Sequence, residues 1–256
     1  MTLKYANRGE IGMETTLRIS KTRIRIDESS FFFTMSLFLL VTAVIGFAPR
    51  SASIISGTRA SPPPIIHIHA ALMLTWLATL VVQSGLSAAG MKRLHMRLGF
   101  FAFALIPTVA GGMTLATLSR FMTDTEISQG TYNLLLVQIR AIIMFLIFAI
   151  WGIAVRRKSS DSHKRFLLAA TIAVLGASFT RMPWIPRGFS TFELLSTYQF
   201  LLFVPIVAYD IFSRGRLHRA TAICMGLWVT AGVLVNLARG TDWWFETAPK
   251  LVNALI

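Results

Sequence analysis

Long runs of apolar residues alternate with short polar stretches along most of this 256-residue chain. Seven of the runs are about 17 to 25 residues long, the length with which an α-helix crosses a bilayer. They cover residues 31–48, 65–88, 98–119, 132–155, 166–185, 194–212 and 220–238. The pattern therefore predicts an all-α polytopic membrane bundle of seven transmembrane helices at 31–238, between a basic segment at 1–30 and a short external interfacial tail at 239–256.

The composition favours a membrane protein. Hydrophobic residues make up 54% of the chain and charged residues only 14%, with a mean hydropathy of +0.63. A soluble domain has about 25% charged residues, so the disordered, coiled-coil and disulfide-scaffold classes are excluded. The single cysteine, Cys224, lies in an apolar run and excludes an intrachain disulfide or a cysteine zinc site.

The distribution of basic residues predicts an orientation in the membrane. The chain has 25 Lys and Arg against 11 Asp and Glu, a net charge of +14. Seventeen of the 25 lie in the amino-terminal segment and in the loops after the second, fourth and sixth predicted spans. Because cytoplasmic loops are rich in Lys and Arg, we expect a cytoplasmic amino terminus and an external tail. Contact with the lipid bilayer then explains the basic charge, and no nucleic-acid partner is expected.

Each of these three loops ends in a similar basic corner that contains a histidine. The corners read KRLHMRLG with His95, SHKRFLL with His163 and GRLHRAT with His218. Their recurrence indicates a weak internal repeat of two-span units. Because neutral imidazole is the commonest transition-metal ligand, the three histidines are a candidate metal or haem ligand set. The alternative is that they contact lipid headgroups and help to set the topology.

Two histidines also open the second predicted span. His67 and His69 are two positions apart and so point about 200° apart on a helix, which prevents both from binding one ion. His69, Trp76 and Gln83 are spaced by seven residues and form one polar stripe. An otherwise apolar helix is expected to turn such a stripe inward, so His69 is the better internal candidate.

Several further polar side chains fall in the outer half of the predicted bundle. Gln138 and Arg140 lie in span four, with Arg140 about 12 Å below the outer end. An arginine at that depth costs several kcal/mol unless it is paired or faces a polar cavity. Arg181 lies near the outer end of span five and Gln199 in the outer half of span six. We therefore predict one cluster of these groups with His69.

An imidazole beside two guanidinium groups has definite chemistry. It can bind a carboxylate or a phosphate, hold the propionates of haem b with the histidine as axial ligand, or hydrogen-bond a quinone carbonyl. In that interpretation His69, His67, Arg140, Arg181, Gln138 and Gln199 form a cofactor-binding site.

Carboxylates provide the structural alternative. Glu193 and Asp242 lie near the outer end and are able to neutralise the two arginines as salt bridges. At the cytoplasmic end, Asp210 is expected to pair with Arg214 or Arg216, or to anchor the last of the three cytoplasmic histidines.

The motifs resemble those of a group of uncharacterised bacterial multi-span membrane proteins. These carry a histidine that opens an early span, then motifs of the kind seen here as LHMRLG, HKR and RGRLHRAT, and the resemblance covers residues 31–244. The chain is also similar to haem-handling helical bundles such as cytochrome b and haem A synthase. Those proteins present histidine pairs from facing helices, whereas the outer half here offers only His67 and His69 on one helix. The resemblance implies the bacterial cytoplasmic (inner) membrane.

Three functions follow from these features. The first is redox or electron transfer with haem b or a quinone in the outer pocket. The second is a non-catalytic accessory subunit or assembly factor of a larger membrane complex. The third is a carrier for a small organic anion, which the odd number of spans and the apparent lack of broken helices disfavour. No motif decides whether the chain is an enzyme.

Overall fold

The computed structural model describes residues 27–123, 126–185 and 191–256, and these ranges form helices joined by short connections without strands. The predicted all-α fold is therefore confirmed for this part of the chain. Most of the basic segment predicted at 1–30 lies outside the described residues. The helices are α1 (Glu28–Ile55), α2 (Pro64–Ala88), α3 (Lys92–Thr123), α4 (Gln129–Val155), α5 (Ser160–Val174), α6 (Gly176–Phe179), α7 (Phe192–Leu201), α8 (Val204–Arg214), α9 (Arg219–Ala238) and α10 (Asp242–Asn253).

Six helical segments of the described chain are long and apolar enough to cross a membrane, which makes the chain a multi-pass membrane protein. They are α1, α2, α3, α4, the consecutive pair α7 and α8 over Phe192–Arg214, and α9. The fifth predicted span, at 166–185, is divided at Leu175 into the 15-residue α5 and the four-residue α6. Neither piece has the length of a spanning helix, although most residues of α5 are buried.

Local sequence explains where the helices begin and end. Asp27 caps α1, because its carboxylate accepts a hydrogen bond from the Ser30 N–H at 2.8 Å. Pro64 opens α2 at a position where a missing N–H costs nothing. Gly90, with φ of 71°, adopts the left-handed conformation between α2 and α3. Helix α3 then starts at Lys92, so the LHMRLG motif forms its first turns.

Antiparallel hairpins dominate the packing. The most extensive contacts join α4 to α5 and α2 to α3, followed by α1 to α2. Helix α5 lies at the centre and also contacts α9 and α1. Its Thr171 hydroxyl accepts a hydrogen bond at 3.0 Å from the indole N–H of Trp76, whose ring packs edge-on against Phe145. A polar contact inside an apolar bundle thus fixes α2 against α5.

The tail predicted at 239–256 contains a docked helix, α10. Trp244, Ala248 and Val252 repeat every four residues and bury one face of α10 against Leu135 of α4. The Trp244 indole donates to the Tyr132 carbonyl at 3.0 Å. The carboxyl-terminal segment is therefore packed onto the end of α4.

Candidate functional site

The break between α5 and α6 makes the backbone near the site irregular. The Leu175 N–H bonds three residues back to the Ile172 carbonyl at 3.2 Å, which tightens the helix into a 3₁₀-like turn. The Gln199 amide nitrogen donates to the carbonyls of Ile172 at 2.9 Å and Ala173 at 3.2 Å. A Cβ at Gly176 would lie only 2.9 Å from the Gln199 Oε1 atom, so the glycine allows this close approach. Gln199 thus satisfies backbone groups at the break.

A second interruption lies beside the first. Leu202 and Phe203 separate α7 from α8, and Pro205 follows in the first turn of α8. Proline has no N–H to donate to the preceding turn, so the helix cannot continue regularly there. Gln199 thus bonds to the backbone at the break between α5 and α6 and lies three residues before the break between α7 and α8.

Arg140 lies at the centre of the first group of candidate residues. Its side chain, 5% exposed, projects from α4, and its guanidinium approaches the Ser196 hydroxyl and the Gln199 Oε1 at 3.4 Å each. The guanidinium carbon lies 4.4 Å from the ring centre of Trp228 and 5.1 Å from that of Phe192. Its buried Nε has no hydrogen-bond partner. Over the described ranges, no carboxylate comes within 4.0 Å of this cation.

The nearest acidic residue on α7 has a different partner. Glu193 pairs with Arg239 at 2.5 Å, and the guanidinium of Arg239 lies 4.9 Å from the centre of the Phe192 ring. Asp242 begins α10 and forms no ion pair with either candidate arginine in the part of the chain that is described. The salt bridges expected from Glu193 and Asp242 to these arginines are therefore not formed.

Arg181 belongs to a second group. Its Nη1 donates to the Ala177 carbonyl at 2.6 Å and to the Thr180 hydroxyl at 3.2 Å, and its guanidinium lies 4.8 Å from the Phe47 ring centre. His69 lies within electrostatic range of Arg181. The Nε of Arg181 and the Nδ1 of His69 are both buried without a partner.

The members of the single predicted cluster thus fall into two groups of contacts, each of which contacts α6. Gly176 at the start of α6 packs against Gln199 of the Arg140 group, whereas the next carbonyl, Ala177, binds Arg181. No hydrogen bond, ion pair or ring contact among the described side chains joins His69 or Arg181 to Arg140.

The remaining candidates of the outer half lie apart from both groups. His67 is exposed and shares a hydrogen bond with the Ser61 hydroxyl at 2.9 Å. Gln138 is half-buried, two residues before Arg140 and so on a different face of α4. The polar stripe of His69, Trp76 and Gln83 on α2 turns inward, as predicted. Trp76 and Gln83 are buried and His69 is half-buried.

The three histidines of the basic corners make structural contacts. His95 Nδ1 lies 3.1 Å from the Gln83 carbonyl, and His163 Nδ1 lies 2.8 Å from the Gly152 carbonyl. Each therefore links the first turn of one helix to the last turns of the helix before it. Burial lowers the pKa of His163, which favours the neutral imidazole despite its bond to Gly152.

His218 differs from the other two. It caps α9, and its Nδ1 accepts a hydrogen bond from the Ala220 N–H at 3.1 Å. Over the residues that the structure describes, no group of three or more His, Cys, Asp or Glu side chains is arranged to hold a metal ion. The predicted ligand set of His95, His163 and His218 is therefore not brought together.

A buried ion pair near these histidines was missed by the sequence reasoning. Arg165 is 1% exposed and Asp210 is fully buried, and the two side chains are joined directly, with Nε to Oδ1 at 3.1 Å. The other oxygen of Asp210 accepts from the Thr221 hydroxyl at 2.6 Å and from the His218 N–H at 3.1 Å. The expected anchoring of His218 is confirmed.

The expected ion pair of Asp210 with Arg214 or Arg216 was wrong. Arg214 pairs with Asp161 instead, because Asp210 points into the core, where α5 supplies Arg165. Burial raises the pKa of the Asp161 carboxyl, but the hydrogen bond and charge of Arg214 outweigh it, so this pKa lies below its ordinary value. The polarity and spacing of the neighbouring residues did not predict the burial of Arg165, because in the sequence it is one more basic residue of the loop.

This part of the bundle therefore presents buried polar atoms, most of them donors, that lack hydrogen-bond partners. The buried atoms without a partner include Arg140 Nε in one group, and Arg181 Nε, Ser178 Oγ and His69 Nδ1 around the other. Such donors are complementary to a ligand that carries carbonyl, carboxylate or phosphate oxygens. In comparisons with known proteins, the chain matches no protein-family model, no curated protein and no solved structure.

Proposed function

We propose that the chain is a seven-span protein of the bacterial cytoplasmic membrane that binds a quinone beside Arg140 and takes part in electron transfer. The observation that carries this proposal is the burial of Arg140 without a carboxylate and with an unpartnered Nε. A buried cation of this kind costs several kcal/mol unless a ligand or cavity compensates it.

The seven-span topology rests on α5 and α6 acting as one crossing. Together α5 and α6 extend from Ser160 to Phe179, which at about 1.5 Å per residue matches the hydrocarbon core of about 30 Å. Glu28 at the start of α1 approaches Lys164 at 3.4 Å and Arg214 at 3.9 Å. The start of α1, the start of α5 and the end of α8 thus share one end, which supports the predicted cytoplasmic side.

A quinone suits the surroundings of Arg140. The Nε–H is available to donate to a carbonyl oxygen, and the aromatic side chains of Trp228 and Phe192 surround the guanidinium. Gln199 and Ser196 hold the guanidinium in place. A bound quinone would supply the redox chemistry. The residues of this chain would bind the ring, orient its carbonyl and keep water from it.

Haem b fits the described residues less well. The predicted arrangement requires His69 as axial ligand with Arg140 and Arg181 on the propionates. In the part of the chain that is described, no hydrogen bond, ion pair or ring contact joins Arg140 to His69 or Arg181. The contacts therefore favour the quinone alternative over this haem arrangement.

Tryptophan fluorescence tests the quinone proposal. Titration of the purified protein in mild detergent with a short-chain benzoquinone is expected to give saturable quenching, because Trp228 contacts Arg140. Arg140→Gln should weaken the apparent affinity about tenfold, as expected for the loss of one charge-assisted hydrogen bond. Arg156→Gln, at an exposed arginine on the cytoplasmic end of the same helix, should leave it unchanged.

Two results would contradict the proposal: quenching that does not saturate in the unmodified protein, or equal affinity in folded Arg140→Gln. Ser196→Ala provides a milder second variant and should weaken binding by a smaller factor. A Soret band in the reduced-minus-oxidised spectrum would favour haem instead. A stoichiometric protein partner without bound quinone would favour an accessory subunit.

The two helix breaks favour a second candidate, a carrier for a small organic anion. Interrupted helices next to a buried cation are typical of transport sites. One helix is interrupted at Leu175 and another at Leu202 and Phe203. Gln199, which approaches Arg140, bonds to the backbone at the first break and lies three residues before the second. Uptake of a labelled small carboxylate into proteoliposomes, abolished by Arg140→Gln and retained by Arg156→Gln, would support this function over the quinone site.

A further inference from the structure

We propose that a phosphate-bearing anion binds at the outer end of the bundle, in a basin formed by Arg50, Arg59, Arg120 and Arg181 beside His69. This outer arginine basin is separate from the Arg140 group, and the proposal does not depend on quinone binding. Its members come from α1, the α1–α2 connection, the end of α3 and the turns after α6.

Close packing of α1 on α6 brings the first members together. A Cβ at Gly46 would lie 2.5 Å from the Ser178 carbonyl oxygen, so the glycine allows the two backbones to touch. One residue along α1, the Phe47 ring lies 4.8 Å from the Arg181 guanidinium. Arg50 follows one helical turn later on the same face.

The α1–α2 connection folds back toward this end of α1. The Arg59 N–H and the Thr58 hydroxyl both donate to the Ser53 carbonyl at 3.0 Å, and Gly57 has φ of 74°. This turn holds Arg59 close to Arg50. Arg181 lies within electrostatic range of Arg50, Arg59 and also Arg120.

The basin has positive charge without compensation from the described protein. None of the ion pairs in residues 27–123, 126–185 and 191–256 includes one of its four arginines. Like charges gathered at a partly buried site repel one another. The predicted topology does not explain them either, because basic residues concentrate on the cytoplasmic side and these lie at the opposite end. A bound anion would remove this cost.

Unpartnered donors point to an anion with several oxygen atoms. Arg181 Nε, His69 Nδ1 and the hydroxyl of the almost fully buried Ser178 are buried without hydrogen-bond partners. Guanidinium groups bind phosphate through paired N–H···O bonds, and a phosphate offers more acceptor atoms than a carboxylate. Arg59 and Arg120 are exposed, so the basin is open at its outer edge.

The phosphate can belong to a lipid headgroup or to a soluble anion, and the experiment separates these sources. The unfolding temperature of the purified full-length protein is measured with inorganic phosphate against chloride at equal ionic strength. It is also measured in nanodiscs of phosphatidylglycerol against nanodiscs of phosphatidylcholine. We expect a rise with phosphate if the ligand is soluble, and only with phosphatidylglycerol if it is a lipid.

Variants assign the effect to the basin. Arg181→Gln and the exposed Arg120→Gln should each reduce the rise in unfolding temperature by at least about half, because each removes a cation from the site. Arg93→Gln, at the exposed cytoplasmic end, should retain it.

If Arg181→Gln fails to fold, Arg120→Gln alone decides the result, because its side chain is exposed. The proposal is overturned if neither phosphate source raises the unfolding temperature, or if folded Arg120→Gln responds as fully as Arg93→Gln.

Discussion

At the scale of single residues, the bundle compensates its two most buried arginines in different ways. Arg165 meets the carboxylate of Asp210, which is further held by the Thr221 hydroxyl. Arg140 instead meets two neutral polar groups and the faces of Trp228 and Phe192. The first arrangement satisfies the charge within the protein, whereas the second leaves one N–H and a full positive charge for a ligand.

Asp210→Asn tests the structural role of its ion pair with Arg165. The substitution leaves Arg165 charged and buried without a counterion, so we expect a loss of stability of about 3 to 5 kcal/mol. Asp161→Asn is the control, because its pair with Arg214 is partly exposed and should contribute less than about 1 kcal/mol. Unfolding of both purified variants in the same detergent gives the comparison, and equal losses would refute the assigned difference.

The depth of Arg140 made it predictable, but its contacts were not. Hydropathy shows that Arg140 lies within the fourth apolar run, where a charged side chain is costly. This inference needs only the neighbouring residues along the chain. Whether that cation meets Glu193, Gln199 or His69 depends on how α4 faces α7 and α2, which no spacing along the chain reports. The same limit explains why Asp210 was expected to pair with Arg214 or Arg216, close to it along the chain, and not with Arg165.

At the scale of elements, the interrupted helices depend on small residues and on one amide. Gln199 of α7 donates to two carbonyls at the end of α5, and Gly176 leaves the space for its side chain. Gly46 performs the corresponding role between α1 and α6, where a Cβ would be 2.5 Å from the Ser178 carbonyl. Backbone that leaves the regular helix inside a membrane must find such partners, because water is absent.

Gly46→Ala tests the contact between α1 and α6. The added methyl would force backbone apart, so we expect a clear fall in the unfolding temperature and weaker phosphate binding in the outer arginine basin. Gly111→Ala on α3 is the matched control, because a Cβ there meets nothing within 4 Å, and replacing a helical glycine should stabilise by up to about 1 kcal/mol. An unchanged unfolding temperature in Gly46→Ala would contradict the close packing described.

Uninterrupted helices were predictable for five of the seven apolar runs, whereas the sixth, at 194–212, is divided at Leu202 and Phe203 into α7 and α8. The fifth run, at 166–185, was expected to be one helix and is divided at Leu175. Hydropathy is averaged along the chain and does not detect a local break in a helix. This run also contains no proline before Met182 that would mark one. The interruption is stabilised by Gln199, which lies 27 residues from Ile172, so its cause is tertiary.

At the scale of the whole molecule, the two ends of the bundle differ in how charge is balanced. At the predicted cytoplasmic end, Glu28, Asp161 and Asp210 each form an ion pair with a basic side chain. At the other end, the outer arginine basin has no described acidic partner. This asymmetry is why a ligand is proposed for one end and a structural network for the other.

The orientation and the odd number of spans can be tested together by cysteine labelling. In a Cys224→Ala background, we expect a membrane-impermeant maleimide added to intact cells to label Arg59→Cys and Leu255→Cys but not Arg93→Cys. Permeabilised cells should label all three, which controls for expression. Labelling of Arg93→Cys in intact cells, or protection of Leu255→Cys, would contradict the topology.

The amino-acid sequence by itself determined that this chain is a helical membrane protein and which polar side chains are costly within it. Those properties follow from the local balance between apolar length and charge, because the bilayer penalises each polar group wherever it lies. Only the tertiary structure decided that the predicted cluster forms two groups of contacts, and that Arg165 holds Asp210. Those outcomes depend on which helix faces meet, and contacts between distant residues are selected by packing and hydrogen bonding of the whole bundle.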